Sequence, residues 1–183
     1  MQFTYETSRL VLKVLRPEYA AAVCQFYRRN KQFLEPFEPL HPNSFYTVDF
    51  HHSNLLCEYN AFLKLSYLRY WIFLQETQDI PTGTICFSNI ERSAFQKCMI
   101  GYKLGKEYCH FGYMQEALAL LIPLVMKEIK LHRLEAYVQP DNLSSIRLLT
   151  RLGFVKEGYL QKYAEIQGTW TDHLLFSYLD ENL

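Results

Sequence analysis

The stretch GYKLGKEYCHFGYMQEAL, residues 101–118, predicts a strand that enters a polar, glycine-containing loop and then an amphipathic helix. The first turn of a helix leaves backbone N–H groups without intrahelical partners, and the helix dipole makes that end positive. Gly112 lies at the junction and has no Cβ to keep a ligand oxygen from the backbone. The pattern suits a phosphate group, although on these residues alone an ordinary strand–loop–helix connection is the simpler interpretation.

A second, shorter unit follows in the C-terminal half. Residues 134–138 alternate in polarity like a strand, and Asn142 after the turn is a candidate helix N-cap. The predicted helix runs from Leu143 to Leu152 and ends before Gly153, the residue type expected just beyond a helix.

Periodicity predicts the remaining elements of the chain. Two further helices are expected at 17–30 and 48–64, with an irregular, proline-rich segment at 33–42 between them. Strands are expected at 10–14, 70–75, 83–90, 97–104, 155–166 and 171–179. The sum is a sheet of about seven strands flanked by about four helices, an α/β (α+β) architecture.

Composition excludes several classes of function. The chain of 183 residues has the length of a single domain, expected here over 1–183, and its formal net charge of zero argues against direct nucleic-acid binding. No apolar run reaches the ~20 residues of a membrane span, and no signal peptide is expected, so a cytoplasmic location is predicted. Five cysteines without a CxxC pair suggest neither a disulfide framework nor a metal site.

Several segments, taken in order, resemble a known family. PDNLSSIRLLTRLGFVKEGYL (140–160), together with GYKL and FGYMQEAL before it, resembles the GNAT superfamily of acetyl-CoA-dependent N-acetyltransferases. Other segments resemble the ribosomal-protein-alanine N-acetyltransferases of that superfamily, the RimJ/RimL type: TSRLVLKVLRPE (7–18), NKQFLEPFEPL (30–40), CFSNIERSAFQKCMIGY (86–102), LHRLEAYVQPDN (131–142), LGFVKEGY (152–159) and IQGTWTDH (166–173).

This resemblance implies a single mixed, mostly antiparallel sheet in which the fourth and fifth strands splay apart. The pantetheine arm of acetyl-CoA would lie in the gap, bound by backbone groups of Tyr102 and Leu104, and one N–H would polarise the thioester carbonyl. Asn142 is expected near the cofactor as well. The pyrophosphate would rest on the loop formed by Cys109, His110, Phe111, Gly112, Tyr113 and Met114.

This loop departs from the family pattern. Cys109 stands where Gln or Arg is usual, and Met114 stands where Gly or Ala is usual, so Lys103 or Lys106 is expected to compensate. His110 is interpreted as a loop residue rather than an acid–base catalyst. Since the family transfers acetyl directly, Cys109 is not expected to act as a nucleophile, and acetyl-CoA is the co-substrate without a metal.

The proton for the departing thiolate needs a donor. Many relatives use a tyrosine at the position of Leu149, whereas the RimJ/RimL type places a serine at the position of Ser145, which is the predicted acid; a packing role for Ser145 is equally compatible. The position of a carboxylate base in some relatives is Ala164. An α-amine has a pKa near 7.7–8.0, so water suffices as the base and no residue is assigned.

The acceptor side is predicted from the same resemblance. Phe37 would wall a peptide slot, Glu38 would attract an ammonium, and Asn89 and Tyr163 are further lining candidates. The leading hypothesis is acetylation of the N-terminal α-amine of a protein acceptor, a ribosomal-protein-like peptide with a small first residue. A small-amine acetyltransferase acting on polyamines or aminoglycosides and a non-catalytic acyl-CoA-binding module remain alternatives, and a monomer and a homodimer are equally compatible.

Overall fold

The computed structural model describes residues 1–180, and within them eight strands form one open sheet in the order β1-β2-β3-β4-β5-β6-β8-β7. The strands are β1 Thr4–Glu6, β2 Leu10–Lys13, β3 Leu68–Leu74, β4 Gly83–Glu91, β5 Lys97–Leu104, β6 Arg133–Val138, β7 Val155–Ile166 and β8 Thr169–Leu179. The α-helices are α1 Ala20–Leu34, α2 Val48–Leu63, α3 Tyr113–Ile129 and α4 Leu143–Arg151. The sheet is therefore mixed and mostly antiparallel.

One pair of strands is parallel, and the helix between them is the reason. The chain leaves β5, runs back along α3 and enters β6 in the same direction as β5. A helical crossover of this kind is how two consecutive strands come to lie parallel. β7 and β8, in contrast, form a hairpin whose turn residues Gln167 and Gly168 have φ angles of 48° and 75°.

Helices cover both faces of the sheet, with a hydrophobic core under each layer. On one face, α3 buries Leu118, Leu121 and Val125 against the sheet, and α4 adds Leu149. On the other face, α1 and α2 pack over β3, and the core there is rich in aromatic side chains. Its largest members are Phe26, Trp71 and Phe73.

β5 and β6 are paired only at their beginnings. The ladder joins Lys97, Cys98 and Met99 to Arg133, Leu134 and Glu135, and no later residue of β5 has a partner on β6. The strands therefore open into a gap along 100–104. This gap lies next to the N-terminus of α3 and is the part of the fold that positions the site.

The predicted fold class is confirmed, with corrections in detail. The sequence predicted about seven strands, but the described residues form eight, because the three-residue β1 is mostly exposed and carries no apolar alternation. α1 runs to Leu34 rather than to residue 30. The proline-rich segment contains a short 3₁₀ turn, Glu35–Phe37, and a second one, Asn43–Tyr46, follows it. The single domain predicted over 1–183 stays a prediction, and its last residues, 181–183, lie outside the described part.

Candidate active site

The turn before α3 is shaped for an anion. His110 and Gly112 both have positive φ angles, 71° and 80°, and they bend the chain sharply into the helix. Gly112 occupies the N-cap position, and no side chain caps the helix there. The first N–H groups of α3 therefore have no side-chain partner, and they point out of the helix at its positive end.

The side chains of the turn do not cap the helix, so anion binding there would depend on the backbone N–H groups. Met114 is buried in the core, and Phe111 is exposed and stacks on Tyr113 with ring centroids 5.7 Å apart. The thiol of Cys109 donates to the carbonyl oxygen of Gly105 at 3.5 Å, and burial raises its pKa. A raised pKa keeps the thiol protonated, which agrees with the expectation that Cys109 is not a nucleophile.

Arg9, in the turn between β1 and β2, binds both this loop and the first turn of α3. Its guanidinium donates to the carbonyl oxygen of Phe111 at 3.0 Å and lies 4.8 Å from the ring centroid of Tyr113. The same group binds the carboxylate of Glu116 in the first turn of α3, at 2.6–2.7 Å. Thr7 donates to Glu116 as well, at 2.5 Å. The loop and the helix are thus joined to the β1–β2 turn.

The backbone of β5 presents Tyr102 and Leu104 to the gap. Gly105 N–H donates to Thr82 on the β4 side at 2.8 Å, while the carbonyl of Gln96 accepts from Arg133 N–H on the β6 side at 3.2 Å. Backbone groups along a strand point alternately to its two edges. Gly105 therefore faces β4 and Gln96 faces β6. By alternation, Tyr102 and Leu104 belong to the same edge as Gln96, which faces the gap where β6 no longer pairs with β5.

Ser145 and the side chain of Tyr102 meet across the gap. Asn142 caps α4 by accepting from Ser145 N–H at 3.1 Å, which sets the first turn of the helix. The phenol of Tyr102 donates to the carbonyl oxygen of Ser145 at 3.4 Å. Burial raises the pKa of Tyr102 to about 12, so the phenol keeps its proton near neutral pH. The phenol of Tyr102 and the first turn of α4, which carries Ser145, therefore meet beside the gap, and sequence reasoning singled out only Ser145 as a proton donor.

The segment 36–39, which the sequence predicts to line the acceptor slot, is joined to β5 by an ion pair. The buried carboxylate of Glu38 binds the ammonium of Lys103, and it also binds His41 Nε2 at 2.9 Å. The charge of Lys103 lowers the pKa of Glu38 against the opposing effect of burial, so the carboxylate stays ionised. Lys103 was expected to compensate for the altered phosphate loop. Instead its ammonium binds Glu38 and lies 5.2 Å from the ring centroid of Tyr27.

The β7–β8 hairpin and the end of β6 close the other side of this loop. Gln167, at the hairpin tip, donates to the carbonyl oxygen of Glu38 at 3.1 Å, and Gln139 donates to that of Pro36 at 3.3 Å. Phe37 between them is 43% exposed. Tyr163 of β7 stacks on Tyr137 of β6 with ring centroids 4.6 Å apart. The 36–39 segment, β5, β6 and the hairpin therefore frame one opening on the sheet.

Asn89 lies apart from that loop. It occupies a bulge in β4 with a φ angle of 50°, and its side-chain amide donates to the sulfur of Met99 at 2.9 Å. Met99 is the last residue of β5 that pairs with β6. Asn89 thus marks the closed end of the gap, and its role as a lining residue stays a prediction.

Comparison with known proteins decides the family. Residues 9–155 match the family model described as the acetyltransferase (GNAT) domain. The chain belongs to the GNAT family. Its sequence is 34% identical over 169 residues to the [ribosomal protein uS5]-alanine N-acetyltransferase of Escherichia coli (strain K12), covering 92% of this chain and 87% of that protein.

Two solved GNAT structures are similar over most of the chain. The ribosomal-protein-S5-alanine acetyltransferase of Vibrio fischeri has a TM-score of 0.94 and 29% identity, covering 99% of this chain and 98% of that one. RimJ of Mycobacterium smegmatis, solved in complex with CoA-disulfide, has a TM-score of 0.87 and 28% identity, covering 95% and 83%. The predicted family and enzyme class, a GNAT N-acetyltransferase, are confirmed.

The described part of this GNAT enzyme has neither a membrane-spanning helix nor a ready-made metal site. Across residues 1–180, no helix is both long and apolar enough to cross a membrane. In the same range no group of three or more His, Cys, Asp or Glu side chains is arranged to hold a metal ion.

Some residues of this GNAT site were not predicted from sequence. Arg9 and the phenol of Tyr102 stand out, because each touches a predicted residue from a distant part of the chain. Tyr137 likewise enters only through its stack on Tyr163. A charged residue directly before the apolar strand β2 was the one visible signal for Arg9, and it is too common to be informative.

Proposed function

We propose that this enzyme transfers the acetyl group of acetyl-CoA directly to the N-terminal α-amine of a protein, and that the acceptor is a ribosomal protein. The observation that carries the proposal is the uncapped, glycine-led turn at the N-terminus of α3, beside a gap bordered by the backbone of Tyr102 and Leu104. The choice of acceptor is supported by the names of the similar enzymes from Escherichia coli and Vibrio fischeri.

Each step of the proposed reaction is assigned to a group of the protein or to water. The amides at the start of α3 bind the pyrophosphate, and backbone groups of β5 hold the pantetheine arm in the gap. One N–H of that edge stabilises the negative charge that develops on the thioester oxygen. The neutral α-amine attacks the carbonyl carbon, and the carbon–sulfur bond breaks. Ser145 donates a proton to the departing thiolate and regains one from water, and water also removes the excess proton from the new amide nitrogen.

The acceptor opening favours a peptide over a polyamine. A polyamine needs carboxylates free to pair with its ammonium groups. Two carboxylates of this region are already occupied, since Glu38 binds Lys103 and His41, and Glu58 of α2 binds Arg69 at 2.8 Å. A peptide N-terminus that reacts as the neutral amine needs no such counter-ion. Glu38 is therefore assigned to holding the loop, and its predicted attraction for an ammonium would require opening these pairs.

A two-stage experiment tests the proposal. Titration calorimetry should first show binding of acetyl-CoA. A thiol-release assay should then compare peptides that begin with Ala or Ser, with and without a blocked N-terminus, against spermidine and an aminoglycoside. We expect turnover only with free N-terminal peptides. Faster reaction of spermidine than of every peptide would replace the proposal by small-amine acetylation, and binding without any turnover would leave an acyl-CoA-binding module.

A further inference from the structure

Tyr137 of β6 lies where the gap opens onto the acceptor side of the sheet. Its neighbours Ala136 and Val138 pack in the core under α3. Because the side chains of a strand alternate between its faces, Tyr137 points to the opposite face, where it stacks on Tyr163. Tyr137 is half-buried and Tyr163 is 41% exposed, so an acceptor that enters the opening reaches this pair of rings.

The residue across the gap from Tyr137 is a glycine. The last pair of the β5–β6 ladder joins Met99 to Glu135. Two residues further along each strand, Gly101 lies opposite Tyr137, beyond the point where the strands separate. A Cβ built at Gly101 would approach Cys86 Sγ to 3.1 Å, and no side chain from this position fills the space beside the Tyr137 ring. A thioester bound along the edge of β5 is therefore accessible here from the acceptor side.

The hydroxyl of Tyr137 has a fixed orientation. It donates to Glu135 Oε2 at 2.9 Å, and the same carboxylate accepts from Arg133 at 2.7 Å and from Lys97 at 3.3 Å. Burial opposes ionisation, but the hydrogen bonds from Arg133 and Tyr137 hold the pKa of Glu135 below its usual value. An ionised carboxylate only accepts hydrogen bonds, so the hydroxyl proton of Tyr137 points to Glu135.

The oxygen of this hydroxyl is left as an acceptor. Burial and the hydrogen bond to Glu135 raise the pKa of Tyr137, so the phenol keeps its proton near neutral pH. Within residues 1–180, no group donates a hydrogen bond to the Tyr137 oxygen. An attacking amine needs its nitrogen lone pair for the carbonyl carbon, so only its N–H groups are available for binding. An acceptor without a free proton matches such an N–H group.

We propose that the hydroxyl oxygen of Tyr137 accepts a hydrogen bond from one N–H of the acceptor α-amine and thereby orients the nitrogen lone pair toward the thioester carbonyl. Glu135 is the positioning residue that orients the hydroxyl, and Tyr137 takes up no proton. The inference rests on the proposed function, since it concerns the same amine. The second N–H remains available to water, which removes the excess proton. The bond strengthens as positive charge develops on the nitrogen, so it favours the transition state over the bound peptide.

The first test is Tyr137→Phe with a peptide that begins with Ala. The substitution keeps the ring that stacks on Tyr163 and removes the oxygen. In single-turnover kinetics, we expect the rate constant of acetyl transfer to fall about tenfold or more. The KM of the peptide should change less than about threefold, because the bond acts mainly in the transition state. Calorimetry should give wild-type affinity for acetyl-CoA.

Tyr159→Phe is the matched control. The hydroxyl of Tyr159 also donates to a carboxylate, that of Asp172, and its side chain is 53% exposed. Tyr159 pairs with Leu174, which belongs to the core under α3, so it lies on the face of the sheet away from the opening. This variant should transfer acetyl at the wild-type rate.

Glu135→Gln tests the positioning role. An amide can donate to the Tyr137 oxygen as well as accept from it, so the hydroxyl loses its fixed orientation. We expect a fall in rate similar to that of Tyr137→Phe. The double variant should be no slower than Tyr137→Phe alone, because both changes remove the same hydrogen bond. In every variant, kcat/KM should reach half of its maximum at the pKa of the peptide amine, because no residue acts as the base.

A wild-type rate in Tyr137→Phe would overturn this inference and leave the proposed function intact, whatever the rate of Tyr163→Phe. A shift of the half-maximal pH in Tyr137→Phe would also overturn it, because Tyr137 would then act as a base. Losses that multiply in the double variant would overturn the role of Glu135, since the two residues would act separately. Failure of the wild-type enzyme to acetylate any peptide contradicts the proposed function itself.

Discussion

At the scale of single residues, Gly112 meets two separate demands. Its φ angle of 80° lies in the left-handed region, which side chains with a Cβ rarely adopt. A Cβ built there would approach Arg9 Nη2 to 3.6 Å, an ordinary contact, so the protein itself leaves room for it. Glycine is therefore required at position 112 by the backbone angle. In the proposed site, it is also required because a side chain would occupy the space of the ligand.

Gly112→Val should weaken acetyl-CoA binding severely, by about a hundredfold or more in Kd, since it strains the turn and places methyl groups against the pyrophosphate. Calorimetric titration measures the effect. Gly168→Val is the matched control, because Gly168 has a similar φ of 75° and open space around it, at the β7–β8 turn. It should lose stability without losing cofactor affinity. Wild-type affinity in Gly112→Val would remove the pyrophosphate from this turn.

Ser145 gives a second residue-scale prediction. If its hydroxyl protonates the thiolate, Ser145→Ala should lower kcat at least tenfold and leave acetyl-CoA affinity nearly unchanged, because the interaction forms only in the transition state. Single-turnover kinetics ensures that chemistry is measured. Tyr102→Phe is the comparison, since that phenol lies at the same gap. A loss of kcat in Tyr102→Phe but not in Ser145→Ala would transfer the role of acid to Tyr102.

At the scale of elements, the N-terminus of α3 is held by the β1–β2 turn. Arg9→Met should free the carbonyl of Phe111 and leave Glu116 without its cation, so the pyrophosphate turn loses its support. We expect KM for acetyl-CoA to rise about tenfold. Acetyl-pantetheine carries the same thioester without a pyrophosphate, and its turnover should change little. A purely structural defect would lower the rates with both donors alike.

Arg16→Met is a matched control for this prediction. Arg16 is also an exposed arginine next to a tyrosine ring, with its guanidinium carbon 5.2 Å from the centroid of Tyr59, but it has no contact with the α3 turn. It should leave KM for acetyl-CoA unchanged. Equal increases in the two variants would mean that Arg9 acts through general surface charge and not by positioning the loop.

At the scale of the whole molecule, the buried His51 should make stability depend on pH. Burial lowers the pKa of His51 from 6.5 to about 4, and the nearby Arg28 and Arg69 favour the neutral form as well. Between these two pKa values, the unfolded chain binds a proton at His51 that the folded chain does not bind. The free energy of unfolding should fall as pH drops from about 6.5 to about 4, by on the order of 3 kcal/mol.

Urea unfolding at several pH values measures this dependence. His51→Phe removes the titrating group and should flatten the free energy of unfolding over that range. His52→Phe, which changes the exposed neighbour on the same helix, should keep the wild-type dependence. An unchanged slope in His51→Phe would show that other groups cause the acid sensitivity.

The elements with strong local patterns could be predicted from the sequence. The meander β3–β5, the amphipathic α3 and the Asn142-capped α4 have the periodicity and the end signals that a single segment needs, so the fold class followed from them. β1 was missed because its three residues bury almost nothing. The glycine turn before α3, which we propose binds phosphate, could also be located, since a glycine at the strand–helix junction is a local requirement.

The partners of those elements depended on tertiary structure. Arg9 contacts Phe111 across 102 residues of sequence, and Lys103 contacts Glu38 across 65. Neither contact leaves a periodic signal, so sequence reasoning assigned Lys103 to the phosphate loop and Glu38 to an incoming ammonium. The sequence by itself determined the family, the order of the elements and the position of the glycine turn before α3, because these depend on short-range spacing. Only the tertiary structure decided which charges are paired, because pairing depends on which distant strands and loops become neighbours.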